Sequence, residues 1–150
     1  MTTQQQRPGF LIRRLQQSAV AIFLREMAAA GHDLTPVQYG VLAALAAHPG
    51  IDQATLARLV ALDKATMGGV VDRLLAKALI ARTVNPADRR ARQLTLADAG
   101  RAELDRCEAV VERVQRKILA GLPEDDQAQF LRLLEKLVEA SNQDSRAPLI

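Results

Sequence analysis

The chemistry open to this sequence is set by clustered cations with no nucleophile or metal cluster beside them. Between residues 82 and 92 four arginines, Arg82, Arg89, Arg90 and Arg92, face one carboxylate, Asp88. Upstream, Lys64, Thr66 and Arg73 recur within ten residues. Guanidinium groups at such spacing recognise phosphate, through charge and through paired N–H donors. Little else on the chain is reactive. The only histidines, His32 and His48, are far apart, each beside an expected helix end, and a capping or surface role accounts for them. The single cysteine, Cys107, excludes an intrachain disulfide and a thiol-only metal cage. No nucleophile–His–carboxylate spacing, phosphate-binding glycine loop or metal-ligand cluster is visible, so neither an enzyme nor a bound cofactor is expected.

Those cations need elements to aim them. Asp52 is placed to cap a short helix from Gln53 to Val60, whose buried face would be Ala54, Leu56, Ala57, Leu59 and Val60. Asp63 is placed to cap a second helix running to Ala78, with Lys64, Ala65 and Thr66 in its exposed first turn. Val70, Val71, Leu74 and Leu75 form its inward stripe. Ile80–Val84 and Arg92–Leu96 are rich in β-branched and apolar residues, and Asn85-Pro86-Ala87-Asp88 supplies turn chemistry between them. Helix, tight turn, helix and arginine-tipped hairpin make the layout of a winged helix-turn-helix. Its second helix can enter a major groove, and its hairpin can reach backbone or minor groove beside it.

Longer helices flank this module. Pro8 to about Ala30 carries Leu11, Leu15, Ala19, Ile22, Phe23 and Met27 at helical spacing, and Gly31 ends it. Thr35-Pro36 opens the next helix with an N-cap oxygen and a proline at the first helical position, and Pro49-Gly50 stops it. The last third reads as two helices, Asp98–Gly121 and Glu124–Ala140, broken at Gly121-Leu122-Pro123. Phe130, Leu131, Leu133, Leu134, Leu137 and Val138 make a stripe too broad for one partner helix, so the chain ends are expected to pack against a second copy. The fold class expected is mainly α. Residues 35–97 form a winged helix-turn-helix, 8–34 and 98–141 an intertwined dimerisation region, and 1–7 and 142–150 flexible ends.

The totals agree. At 150 residues, nearly half of them apolar, the chain can bury a core, and a net charge of +3 matters less than its concentration at the hairpin. No apolar run approaches the roughly 20 residues needed to span a bilayer, and no secretory core precedes the first helix, so a cytoplasmic protein without a membrane partner is expected.

Three segments together resemble the MarR family of bacterial transcriptional regulators: Asp63-Lys-Ala-Thr-Met-Gly-Gly-Val-Val-Asp-Arg-Leu74 with Leu79-Ile80 and Arg82; Asn85-Pro-Ala-Asp-Arg-Arg90; and Leu94-Thr-Leu-Ala-Asp-Ala-Gly100. The resemblance runs from Pro8 to about Ala140. Two positions depart from it: Ala78 stands where a glycine is usual before the Leu-Ile pair, and Ala97 replaces the threonine of a Leu-Thr-x-x-Gly element. Asp98 or Thr95 is left to cap the following helix. Similar Thr-(Ile/Met)-Gly-Gly segments and a Pro-Gly-(Phe/Tyr)-Leu-(Ile/Leu)-Arg-Arg start resemble the branch responding to aromatic acids or their coenzyme A thioesters.

The resemblance implies a homodimeric regulator that binds a double-stranded operator and responds to a small-molecule effector. It implies that Asp88 braces an arginine at the wing tip, that Arg90 inserts into the minor groove, and that Arg89 and Arg92 meet phosphate. Lys64, Ala65, Thr66, Gly68, Gly69 and Arg73 would lie on the groove-facing helix. Gly68 and Gly69 have two readings, close packing against a neighbouring helix or close approach of backbone to DNA. Arg73 likewise either contacts DNA or pairs with Asp72 or a wing carboxylate. Arg13, Arg14, Phe23 and Tyr39 are candidates for an effector crevice, against the plainer reading of solvated arginines and core rings. Oxidant sensing through Cys107 is the rival mechanism, and it requires an exposed thiol of depressed pKa.

Overall fold

The computed structural model describes residues 3–85 and 92–142. A 3-10 turn at Thr3–Gln6, within the stretch expected to be irregular, precedes α1 (Pro8–Ala29). There follow α2 (Pro36–Ala47), α3 (Gln53–Leu59), α4 (Lys64–Ala76), β1 (Ile80–Val84), β2 (Arg92–Leu96), α5 (Asp98–Leu119) and α6 (Glu124–Ala140). The fold is the expected one: mainly helical, with a two-stranded antiparallel wing. Among the described residues no helix is long and apolar enough to cross a membrane.

Local chemistry explains most boundaries. Gly31, at φ +79°, ends α1, and the His32 N–H donates back to the Met27 carbonyl at 2.9 Å. Thr35 and Gln38 form a reciprocal capping box that opens α2. The Asp52 carboxylate accepts from the Ala54 and Thr55 amides at 2.9 Å, and Asp63 accepts from the Thr66 amide at 2.9 Å. Each carboxylate also accepts its threonine's hydroxyl at 2.8 Å, so one Asp-x-x-Thr device starts both helices of the motif. Backbone bonds, the threonine's first, hold both carboxyls below the ordinary aspartate value, since each bond favours the charged form. The cap expected from Asp98 or Thr95 is absent. Ala97 is the N-cap of α5, no side chain caps it, and its amide donates instead to the Leu79 carbonyl at 3.1 Å.

The core joins every element but the N-terminal 3-10 turn and α6. Val41, Leu42, Leu45, Leu56, Met67, Val71 and Leu74 are wholly buried, and Phe23, Met27, Leu104, Cys107 and Val114 carry the same cluster up into α1 and α5. Burying one such large apolar side chain is worth roughly 1.5–3 kcal/mol, against about 0–1 for an exposed ion pair, so this cluster holds the module on its platform. Ala54 is exposed, and Leu59 and Val60 are only partly covered, which narrows the inward face of α3 to Leu56 and Ala57. Met67 is a core residue that the periodicity argument passed over.

Between α1 and α5 the apolar contact is reinforced by a buried carboxylate. Glu26 is 8% exposed and accepts from Lys117 Nζ at 2.7 Å and Arg113 Nε at 3.1 Å. Those hydrogen bonds, Lys117's first, hold its carboxyl below the usual range despite burial. By contrast α6 buries no residue. Leu131, Leu133, Leu134, Leu137 and Val138 stay exposed, and all of these but Leu131 line, with Leu11, Ile12 and Leu15 of α1, an apolar groove of about 720 Å³.

Candidate nucleic-acid interface

The helix α4 has two unlike faces. Met67, Val70, Val71 and Leu74 point into the core, and Ala65, Gly69, Asp72, Arg73 and Ala76 point out. The outer set recurs at i, i+4, i+7, i+8 and i+11, which is one side of a helix. Three of these five are Ala or Gly, so the backbone is barely covered there. A Cβ built on Gly68 meets nothing within 4 Å, and one on Gly69 meets only an Arg73 guanidinium nitrogen at 4.0 Å. Within the chain, then, close packing does not account for the glycine pair. The exposed surface is left as a place where another molecule's backbone or base edges can come near.

The cations around this face divide by partner. Among the described residues Lys64, Arg73 and Arg92 have no salt bridge, whereas Arg82 reaches Asp72 at 4.0 Å and ties β1 to α4. Asp72 is therefore engaged by Arg82, and the alternative Arg73–Asp72 pair does not form. Thr66 is less available than its position suggested. Its hydroxyl donates to Asp63, so its proton serves the cap and only its lone pairs face outward.

The hairpin lies beside α4 in the register Ile80↔Leu96, Arg82↔Leu94 and Val84↔Arg92. Its base is held from two directions. The Leu94 amide donates to the Ile51 carbonyl at 2.8 Å, and the Gly50 amide donates to the Leu94 carbonyl at 3.1 Å, a bridge with no sequence signal. On the other side Gly100 sits so close under Leu79 that a Cβ would lie 2.0 Å from its carbonyl oxygen and 2.7 Å from Leu96 Cδ1. That contact explains why glycine closes the Leu-x-x-x-Gly100 element. Ala78, before Leu79, is in the left-handed region at φ +54°, where glycine would be easier. Asp88, Arg89 and Arg90 at the wing tip lie outside the described residues.

The four effector candidates are not gathered in one chain. Phe23 is a core residue, 5% exposed, with its ring centroid 6.2 Å from that of the half-buried Tyr39. Arg13 lies over Phe10, 5.5 Å from the ring centroid, and Arg14 is exposed beside it, the two about 15 and 13.5 Å along α1 from Phe23 by helical rise. Tyr39 alone lines a cavity of about 470 Å³ between α2 and α5, together with Ala43, Arg101, Asp105 and Glu108. Its hydroxyl donates to Glu108 Oε2 at 3.4 Å, and burial, then the Glu108 charge, raise its pKa.

His32 differs from expectation, and Cys107 is the packed thiol of the plainer reading rather than the rival's sensor. His32 is not a surface or capping residue: its Nδ1 is 3.0 Å from Glu103 Oε1 on α5, 71 positions away. Cys107 has no exposed surface, and burial, with Glu103 beside it, pushes its thiol up to about 11. The exposed, easily ionised thiol that oxidant sensing needs is not there.

Comparison with known proteins agrees with this architecture. A profile of the MarR family matches residues 32–91. The chain is 32% identical over 88% of its length, and 82% of the relative's, to the transcriptional repressor NicR of Pseudomonas putida. It superposes with a TM-score of 0.84 and 31% identity on BpsR of Bordetella bronchiseptica, covering 91% and 96% of the two chains; that structure concerns regulation of DNA binding by 6-hydroxynicotinic acid. It superposes with a TM-score of 0.81 and 29% identity on the repressor CouR bound to a 23-mer DNA duplex, covering 91% and 97%.

Proposed function

This chain belongs to the MarR family, and from that premise we propose that it is a dimeric repressor released from its operator by a small aromatic carboxylate or thioester. The observation that carries the reading is the bare outer face of α4, flanked by Lys64, Arg73 and Arg92 without salt bridges among the described residues. In the proposed complex the first turn of α4, Lys64-Ala65-Thr66, meets the edge of a major groove, and Gly68 and Gly69 let the helix backbone settle toward its floor. Arg73, the one long side chain on that face without a salt bridge, reads bases or meets phosphate. Neither Asn nor Gln lies between 63 and 77, so bidentate adenine recognition from α4 is not available. Arg90, braced by Asp88, enters the minor groove, and Arg89 and Arg92 take phosphate.

The second copy is supported by α6. A helix whose apolar residues recur at i, i+1, i+3, i+4, i+7 and i+8, with none buried, needs another surface, and the groove against Leu11, Ile12 and Leu15 is the place for it. Twofold pairing would set two α4 helices about 34 Å apart, one per successive major groove of a pseudo-palindromic site. The same pairing bears on the effector. Arg13 and Arg14 lie on the half of α1 that borders the groove, and in the proposed dimer they would approach the Tyr39 cavity across the subunit boundary. An effector carboxylate bridging them would favour one spacing of the two α4 helices and weaken DNA affinity by linkage. Regulation of the relative BpsR by 6-hydroxynicotinic acid supports this effector class.

The test is fluorescence anisotropy of the full-length protein on a duplex recovered by genomic-fragment selection, repeated across a salt series. The logarithm of affinity should fall linearly with log salt, with a slope of roughly −0.9 per phosphate contacted. Arg90→Ala should weaken binding by roughly 1–3 kcal/mol, about 5- to 150-fold, without changing the oligomeric state. Salt-independent binding, or an Arg90→Ala protein of normal affinity, overturns the wing assignment.

A further inference from the structure

His32, Glu103 and Cys107, scattered in sequence, come together where the loop from α1 to α2 meets α5. Their ligand atoms all lie within 4.8 Å of one another. His32 Nδ1 is 3.0 Å, and Cys107 Sγ 3.7 Å, from the same oxygen, Glu103 Oε1. The other carboxylate oxygen, Oε2, accepts from Arg106, which fixes the plane of the group and leaves Oε1 turned toward the histidine and the thiol. The histidine and glutamate side chains are 12% and 13% exposed, so the cluster is shielded but has an approach from solvent, while the sulfur behind them is fully buried.

We propose that His32, Glu103 and Cys107 form a binding site for a borderline-soft divalent cation of the zinc type. One nitrogen, one oxygen and one sulfur donor suit such an ion, and three protein ligands leave a fourth tetrahedral position for water or another small ligand. The geometry needs little adjustment. Bonds of about 2.0–2.3 Å place tetrahedral ligand atoms roughly 3.3–3.7 Å apart, so no pair within the 4.8 Å cluster needs to close by more than roughly 1.5 Å, and the His32–Glu103 pair at 3.0 Å opens slightly. Charge favours it too: a dication with one carboxylate, one thiolate and a neutral imidazole sums to zero, which suits a shielded site.

Binding is a proton-for-metal exchange with no change of oxidation state. The thiol S–H breaks, its electron pair forms the sulfur–metal bond, and its proton passes to solvent. The proton that Nδ1 donates to Glu103 in the ion-free cluster shifts to Nε2 through solvent, and the freed Nδ1 lone pair binds the ion. Arg106 stays on Oε2 as an orienting group, the role that hydrogen-bonded partners of ligating carboxylates ordinarily play. Because the thiol must give up its proton to bind the ion, affinity should rise with pH. The ion would bolt the segment entering α2 onto α5. Nothing in this assignment depends on the reading of α4 as the DNA-contacting helix.

The experiment is titration of full-length protein with Co(II), followed by displacement with Zn(II). A saturable thiolate-to-cobalt charge-transfer band at one ion per chain is expected, abolished by Cys107→Ala. His32→Gln should weaken it more than about tenfold, since even an outer partner of a metal ligand is commonly worth that much. Circular dichroism checks folding. If Cys107→Ala fails to fold, His32→Gln decides, because that side chain is at the cluster's open edge. No charge-transfer band at saturating cobalt, or binding indifferent to His32→Gln, overturns the site. Operator affinity is not a readout here, so failure of the metal site and failure of the regulator reading remain distinguishable.

Discussion

Replacing Gly68 and Gly69 together by alanine separates the two reasons a helix can carry adjacent glycines. An added Cβ meets nothing at Gly68 and only the end of a flexible Arg73 side chain at Gly69. Each substitution should therefore stabilise the fold by about 1 kcal/mol, the helix-interior difference between Gly and Ala. At roughly 2–4 °C per kcal/mol for a chain of this size, the double variant should melt about 4–8 °C higher. On DNA the sign reverses. Two methyl groups added where backbone approaches the duplex should cost roughly 1–3 kcal/mol, the usual range for overpacking a tight contact. Converted, that is about a 5- to 150-fold loss of operator affinity. A thermal melt and an anisotropy titration on the same preparation give both numbers. A more stable protein with undiminished affinity refutes close backbone approach. A less stable one refutes the open face, and would mean that a second subunit packs there.

Three other substitutions test how the module is anchored. Gly100→Ala should destabilise by roughly 2–3 kcal/mol in urea titration, because its Cβ would lie 2.0 Å from the Leu79 carbonyl oxygen and backbone must move to relieve it. Ala78→Gly should stabilise by up to about 1 kcal/mol by relieving the left-handed backbone at φ +54°, read as a higher urea midpoint at unchanged slope. Glu26→Gln should lower stability at neutral pH and flatten its fall in acid. Lys117 and Arg113 hold the Glu26 carboxyl below its ordinary 4.5, so its contribution is present above that value and is lost as pH falls through the lower folded-state value. Wild type should thus exceed Glu26→Gln at neutral pH and converge with it in strong acid, as measured by urea midpoints across the series.

Much of the architecture was legible because its signals are local. Thr35, Asp52 and Asp63 cap the helices that follow them by bonds spanning two or three residues, and Gly31 and Gly50 stop chains by their own backbone freedom. The hairpin of Ile80–Val84 with Arg92–Leu96 announces itself through β-branched residues around a turn. The unpartnered stripe of α6 could be read from spacing alone, since a face with nothing opposite it is a property of one helix. Where local reasoning erred, tertiary contact had set the boundary: the Leu79 carbonyl takes the Ala97 amide, α5 starts after Ala97, and an alanine at the N-cap has no side-chain acceptor to offer.

By itself the sequence determined the elements, their order, the charge on the wing and the scarcity of large side chains on the outer face of α4. These follow from periodicity, propensity and composition. Tertiary structure alone decided which distant residues meet. It set Glu26 between Arg113 and Lys117, brought His32 to Glu103 and Cys107, gave Asp72 to Arg82 rather than Arg73, and sealed Cys107 from solvent. The reason is physical: such pairs span from about ten to about ninety positions, their geometry is fixed by how whole helices pack, and no short-range rule carries that information.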